Sequence, residues 1–265
     1  MSVMGAKNLL LEISQGKVPG SRLWGASGER ESMAIVASGS DLWRGNELTP
    51  VPSSHTKLPI PDSAGEQMSI VSEHANDSLL GVGVRKVEVG YIDADGFEQL
   101  TEVELNGTTP VDLSVADVRF VNRMHTSDVG ANGAAVGHIK IWKKSDHGLV
   151  YSMIAAESNI SSTPTIMVPK NHYFTLLSWH AEEAQSRRCL VRLLATAIHY
   201  EATAKNIFYN RGSVYLKGNT QAISGEGLGM FCFPELSILK MTAWADAVGA
   251  ESSAAFWGVL TVKGK

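Results

Sequence analysis

VRKVEVGYIDADGFEQLTEVEL, running from Val84 to Leu105, is the stretch whose reading decides the fold class. Two alternating runs flank Asp93-Ala94-Asp95-Gly96. In the first, Val87, Val89 and Tyr91 fall on one face and Lys86 and Glu88 on the other. In the second, Phe97, Thr101, Val103 and Leu105 share a face, and Glu98, Glu102 and Glu104 share the opposite one. Successive side chains of a strand point to opposite faces, so apolar residues at every second position mark a strand with one buried face. Asp95-Gly96 supplies the positive φ that a tight connection between strands requires. The stretch reads as a β-hairpin, which sets the fold class without supplying a catalytic group.

The pattern continues on both sides. Gln67 to Ser72, Val118 to Arg123 and His138 to Trp142 are short strand candidates separated by turn residues. Beyond Lys143 to Gly148 (KKSDHG), read as a boundary or exposed turn, come Val150 to Ala155, Thr165 to Val168, Tyr173 to His180 and Cys189 to Thr196. Ser213 to Lys217, Leu228 to Cys232, Ser237 to Ala245 and Ala254 to Val262 complete the series. Within Ser237 to Ala245 both faces carry apolar groups, which marks a central strand. Ala197 to Asn206 reads as the one short helix of this half. Evenly spaced short strands with turn signals indicate an antiparallel sandwich or barrel. The expectation is an all-β chain of two antiparallel sandwich domains, residues 66–144 and 145–265.

Residues 1–65 differ from the rest. Ala6 to Ser14 suits one or two helical turns; after it Gly16, Pro19-Gly20, Gly25, Gly28, Gly39, Gly45, Pro50, Pro52, Pro59 and Pro61 leave room only for short strands such as Ser32 to Ala37. Pro52 to Pro61 reads as an extended connector, because proline removes a backbone donor. The segment is expected to be an irregular N-terminal arm. Two indoles lie in it, Trp24 and Trp43, and so little regular structure can scarcely bury them unaided. They either cover the edge of the next domain or anchor the arm on a partner.

Of the 265 residues, 44% are hydrophobic and 19% charged, enough for a substantial core and too apolar for wholesale disorder. A formal charge of -4 argues against a nucleic-acid partner, which calls for a concentrated basic face. No apolar run approaches the ~18 residues that span a bilayer, and MSVMGAKNLLLEIS lacks a secretory apolar core, so synthesis and assembly in a cytoplasm are expected. The 2 cysteines, Cys189 and Cys232, sit among apolar neighbours and read as buried free thiols.

The chemistry-bearing residues form few patterns. The 8 histidines show neither HxH nor HExxH spacing, and no CxxC is present. Asp93-Ala94-Asp95-Gly96 has the opening of a calcium loop, but strand residues follow it, and a turn explains it better. Gly225-Glu226-Gly227-Leu228-Gly229 lacks the helix that a phosphate loop needs after it. Asn76-Asp77-Ser78, Asn106-Gly107-Thr108 and Asn159-Ile160-Ser161 match glycosylation acceptors, which carry little weight without a secretory signal. No GxSxG elbow occurs. Neither a catalytic group, a cofactor nor a metal is therefore expected. The aromatics Tyr173, Phe174, Trp179, Trp244, Phe256 and Trp257 fill a core or subunit interface, or form a stacking platform for a ligand. Phe256 and Trp257 are adjacent, so one of them faces outward. Trp179 and Trp257 are the candidate ligand or interface aromatics.

Several segments resemble virion structural proteins of short-tailed bacteriophages. They are VRKVEVGYIDADGFEQLTEVELNGTTPV from Val84, DVRFVNRM from Asp117, AVGHIKIW from Ala135, STPTIMVPKNHYFTLL from Ser162 and FPELSILKMTAWADAVGAESSAAFWGVLTV from Phe233. NGTTPV and the following VNR carry the resemblance most specifically. It implies jelly-roll-like β-sandwiches assembled as a symmetric homo-oligomer, commonly a trimer. It also implies a location in the virion: a tail fibre or appendage, a head-tail anchoring component or a capsid decoration protein. The partners would be other virion proteins (portal, adaptor, tail or capsid), with a host surface glycan as a further ligand. The repetitive shaft of long receptor fibres is missing here, which favours a compact component whose residues 1–65 dock it.

Overall fold

The computed structural model describes residues 3–33, 40–41, 59–161, 163–183, 188–196, 207–217, 220–224, 231–245 and 250–264. One helix, α1 (Val3–Ser14), precedes β1 (Ser21–Met33) and β2 (Ser40–Asp41). Then follow β3 (Met68–Ser72), β4 (Val84–Asp93), β5 (Glu98–Glu104), β6 (Val111–Asp112), β7 (Val118–Val129), β8 (Ile139–Lys143) and β9 (Asp146–Ile154). The remainder is β10 (Thr165–Met167), β11 (His172–Glu183), β12 (Arg188–Ala195), β13 (Tyr209–Lys217), β14 (Thr220–Ser224), β15 (Phe231–Phe233), β16 (Ile238–Ala245) and β17 (Ala250–Val262). The strands form four small sheets, and every described strand pair is antiparallel. The fold is all-β.

Two compact units divide the chain. One takes residues 43–163 with 28–31; the other takes 164–265 with 1–27 and 32–42.

The first of these contains the hairpin. β4 pairs with β5 from Lys86↔Glu104 to Ile92↔Glu98, and Gly96 takes φ 92° at the turn, as Asp95-Gly96 requires. Asp93 closes that turn with its side chain: its carboxylate accepts from Phe97 N at 2.8 Å and from Gln99 Nε2 at 2.9 Å. β7 lies on the other side of β4 to give the order β5-β4-β7, and the second sheet runs β6-β3-β8-β9. Val87, Val89 and Tyr91 of β4 share a cluster with Met68, Ile70, Ile139, Ile141 and Ile154 of the second sheet. Phe97, expected on the buried face with Val103, is 40% exposed, because it sits in the turn before β5 begins.

In the other unit β11 is central. It pairs with β17 along its whole length, with β15 over its first half and β14 over its second, and β1 flanks β17. The second sheet runs β10-β16-β12-β13, with β2 also on β16. β16 pairs on both sides, which is the central position that its two apolar faces indicated. Phe174, Leu176, Trp179, Phe256 and Leu260 of one sheet and Val191, Leu193, Leu239 and Met241 of the other form one buried cluster.

Three expectations need correction. The irregular arm supplies a 12-residue helix and a 13-residue strand. Gly25 and Gly28, read as turn punctuation, lie inside β1, a strand that pairs with β17. The boundary expected at 144/145 falls in the turn of the β8–β9 hairpin, where Lys143 pairs with Asp146; the units divide instead between Thr163 and Pro164. β7 runs on through His125-Thr-Ser-Asp, a polar tail that pairing with β4 holds in strand despite its register shifts. The helix expected over Ala197 to Asn206 lies outside the described residues.

Candidate functional site

The outward face of β11 and β17 is the best-formed candidate site. An irregularity between Leu176 and Ser178 places an extra residue, Leu177, in β11, so that Ser178 lies opposite Trp257 and Trp179 opposite Phe256. Trp179 and Phe256 both enter the core, at 4% and 1% exposure. Strand alternation then sends Trp257 out, and it is 42% exposed. The His180 ring lies 5.6 Å from the Trp257 ring, tilted by 52°. Two pairs further along the register, on the same face, Ser253 Oγ donates to Glu182 Oε1 at 2.7 Å. An exposed indole with an imidazole, a hydroxyl and a carboxylate beside it offers a flat apolar surface with hydrogen-bonding groups at its rim. Such a surface suits a sugar ring or the side chains of a protein partner.

At the other end of the same strands Lys263 Nζ stands 5.0 Å over the Tyr173 ring and 2.8 Å from Glu235. Glu235 also accepts from Asn171 N at 2.6 Å. The Lys263 hydrogen bond, then that of Asn171, hold the Glu235 carboxyl below its ordinary range against its partial burial.

The four aromatic candidates thus separate. Trp257 is on the surface and Trp179 is core. Trp24 is half-buried on β1: its ring meets Phe174 edge-on at 6.0 Å and 79°, and the Arg22 guanidinium lies 5.7 Å from its centre. Trp43 lies outside the described residues. The two cysteines are free, Cys189 buried and Cys232 half-buried beside Thr175.

Two carboxylates that sequence reasoning did not single out are the best-connected polar groups. Asp77 is fully buried. Its carboxylate accepts from Ser72 Oγ at 2.6 Å, Val84 N at 2.9 Å, Val136 N at 3.0 Å and Gly137 N at 2.9 Å. Its only signal in the sequence was a glycosylation match at Asn76-Asp77-Ser78, because all four partners except Ser72 are backbone or distant. Glu66 accepts from Tyr151 Oη, from Lys143 Nζ at 3.0 Å and from Asp62 N at 3.0 Å. Burial raises the Glu66 carboxyl, but these three partners outweigh it and hold the group below its ordinary value. Burial, then Glu66, push the Tyr151 hydroxyl far upward, so it stays protonated and donates. Each carboxylate accepts from several donors and ties segments together.

Among the described residues no three or more His, Cys, Asp or Glu side chains are grouped to hold a metal ion. His172 Nδ1 engages Lys170 O at 2.9 Å, while His180 belongs to the Trp257 face. The Asp93 to Gly96 segment is the hairpin turn already described. Gly225 to Gly229 lies outside the described residues. No described helix is long and apolar enough to cross a membrane.

No protein-family model matches the chain, and neither does any curated protein. Among solved structures, that of the Gx strain of infectious bursal disease virus is 10% identical over 92% of this chain and 72% of that one, with a TM-score of 0.23. The Gt strain structure of the same virus is 9% identical over 94% and 75%, with a TM-score of 0.21. Likenesses this slight leave fold and function to be argued from the residues.

Proposed function

We propose that this chain is a non-enzymatic virion structural protein that acts by assembling with copies of itself and with other virion proteins, as a tail appendage or head-tail anchoring component. The observation that carries the reading is the display of large apolar side chains on strands and hydrogen-bonded loops: Leu80 is 96% exposed, Tyr215 78%, Leu100 55% and Trp257 42%. Scattered apolar side chains are ordinary, but aromatic and leucine side chains held on rigid elements are what interface anchors look like. Some strands pair on one side only among the described strands, such as β5 and β13, and neighbours in an assembly can cover such edges. One shared apolar cluster between the two sheets of each unit supports reading both units as sandwiches. The sequence resemblance supplies the virion, the trimeric symmetry and the portal, adaptor, tail or capsid partners. A capsid decoration role is the variant with many copies over the head.

In this reading α1, with Leu9 at 39% and Leu11 at 56% exposure, is the part of the N-terminal segment that docks on a neighbour. Deletion of residues 1–16 keeps β1 and its pairing with β17. Particles formed with the truncated chain are expected to lack it, while the purified truncated chain keeps its strand content. Normal incorporation of the truncated chain rejects the docking role, and absence of the intact chain from purified particles rejects the virion role.

The Trp257 face favours a second reading, recognition of a host surface glycan. A glycan array answered by the intact chain and lost with Trp257→Ala supports it; a blank array rejects it.

A further inference from the structure

Two strands, one in each unit, present outward faces of opposite charge. Among the described strands β13 pairs with β12 alone. Packing fixes its inward side: Leu216 belongs to the buried cluster, Val214 packs against it, and a Cβ at Gly212 would stand 2.9 Å from Cζ2 of the Trp179 indole. Alternation therefore turns Ser213, Tyr215 and Lys217 outward, and all three are exposed. On β12, Cys189, Val191 and Leu193 face the core, so Arg188, Leu190 and Arg192 share the outward side. The register sets Lys217 opposite Arg188, Tyr215 opposite Leu190 and Ser213 opposite Arg192. Tyr215, 78% exposed, thus stands between the Arg188 and Lys217 pair on one side and Arg192 on the other. Arg188 and Lys217 also interact within the chain. Neither strand contains an Asp or Glu.

β5 carries the opposite sign. It pairs with β4 alone, and Val103 points into the core, which leaves Glu98, Leu100, Glu102 and Glu104 outward. Leu100, 55% exposed, lies opposite Gly90, which has no side chain to cover it. Glu88 of β4 shares this face, and Glu98 also interacts within the chain. Lys86 Nζ is 3.3 Å from Glu102 and 3.1 Å from Glu104, while Glu88 has Arg123 at 3.8 Å and His125 at 3.3 Å. The four glutamates still outnumber the lysine and the arginine, and Lys86 is divided between two carboxylates. Exposed ion pairs are weak, so these carboxylates can accept further cations from outside the chain.

The two faces match in plan. Each has one exposed apolar side chain at its centre, flanked by charges that are positive around Tyr215 and mainly negative around Leu100. Two basic faces repel one another, so a pairing of copies that satisfies both faces joins a basic one to an acidic one. We infer that copies of this chain meet head to tail, the β12–β13 face of one on the β5 face of the next, with Tyr215 against Leu100 and cations against glutamates. The inference rests on the assembly reading and names its surfaces. A contact between unlike patches closes into a ring where the rotation between copies closes, and otherwise grows into a filament. A polyanion such as nucleic acid or an acidic glycan suits the basic face less well, because the chain's formal charge of -4 repels it and the acidic face would stay unmatched.

The test is the light-scattering mass of the purified full chain over a range of concentrations, at low and at high salt. It compares the natural sequence with Arg192→Glu, Glu102→Lys and the double variant. The natural chain is expected to oligomerise at low salt and to dissociate as salt screens the exposed charges. Each single variant sets like charges against each other and is expected to raise the dissociation constant on the order of tenfold or more. The double variant, and an equimolar mixture of the two single variants, bring opposite signs together again and are expected to regain mass. Melting curves check that each variant folds; if the double variant does not, the mixture decides. A natural chain that is monomeric under all these conditions overturns the inference. So does an oligomer indifferent to salt, single variants that keep it, or a mixture that stays dissociated. So does a monomeric natural chain that binds single-stranded DNA or heparin and loses that binding with Arg192→Glu. A chain found in particles yet monomeric in solution defeats the head-to-tail contact and leaves the virion reading standing.

Discussion

The two units hold themselves together by different means. In the unit completed by residues 164–265, the largest fully buried side chains are Phe174, Phe233 and Phe256, and a run of edge-on rings leads from Trp24 to Phe174 to Phe256 at 6.0 and 6.2 Å. In the unit of residues 43–163 the buried cluster is Met, Val, Ile, Leu and Ala with two tyrosines, and the one buried phenylalanine among the described residues of that unit, Phe120, lies outside it. That unit adds two buried or half-buried carboxylates, Asp77 and Glu66, each held by donors from separate segments. Aromatic burial is robust to pH and depends on ring volume. A carboxylate clasp is specific in direction, fixes loops that apolar packing cannot reach, and fails when one partner is removed.

The sharpest way to break this contrast is to remove a ring. Phe174→Ala deletes a fully buried phenyl that touches both Trp24 and Phe256, and is expected to destabilise by about 3–5 kcal/mol. Hydrogen exchange should lose protection in β11 and β17 while β4 and β5 keep theirs. Equal loss in both sets of strands would show that the units are not held separately. Next in size is Asp77→Ala. It leaves three backbone N–H groups and the Ser72 hydroxyl without their acceptor, at about 1–3 kcal/mol for each donor left dry and less where water enters. The expected signature is proteolytic cleavage within 78–83 at temperatures where the natural chain resists. A cleavage rate that does not change would mean that the loop needs no clasp.

Glu66 sharpens the comparison through pH. Its folded carboxyl lies below the ordinary value of 4.5, so its contribution to stability is complete above that value and is lost as pH falls through the lowered one. Glu66→Gln should therefore lower the melting temperature near neutral pH and flatten its fall below pH 4.5. Glu235, also held low by Lys263 and Asn171, titrates in the same sense, so part of the acid sensitivity survives in this variant. A variant whose acid profile parallels that of the natural chain would take Glu66 out of the account.

The same contrast explains what could be read from the chain alone. Val87, Val89 and Tyr91 alternate with charged residues, so the β4–β5 hairpin was visible residue by residue, down to its Asp95-Gly96 turn. β16 was legible as central because both of its faces are apolar. β1 was not, because Gly25 and Gly28 mimic turn punctuation, and its pairing with β17, more than 200 positions on, leaves no local signal. Asp77 was illegible in principle: three of its four donors are backbone amides, which have no signature in side-chain identity, and two of them lie about sixty positions away. Among the aromatics, residue type could not separate core from surface. Trp179 and Trp257 have equal apolar character, and the extra residue at Leu177 in β11 fixes which face each one takes.

That last pair gives the smallest expected effect on stability and the most direct reading of the surface. Trp257→Ala removes an indole that is 42% exposed and leans on His180 alone among the described rings, so its effect on the melting temperature should be slight, within about 1 kcal/mol. Trp179→Ala removes a core indole at 4% exposure and should cost about 3–5 kcal/mol. The two substitutions delete the same side chain from strands that pair with each other, so their difference isolates facing from chemistry. If Trp257→Ala also destabilises by several kcal/mol, the outward face of β11 and β17 is packed against something, and the candidate site is a buried surface. If it is neutral in stability yet abolishes binding to a glycan array or incorporation into particles, the indole serves recognition, and the face opposite the aromatic core is where this unit meets its partner.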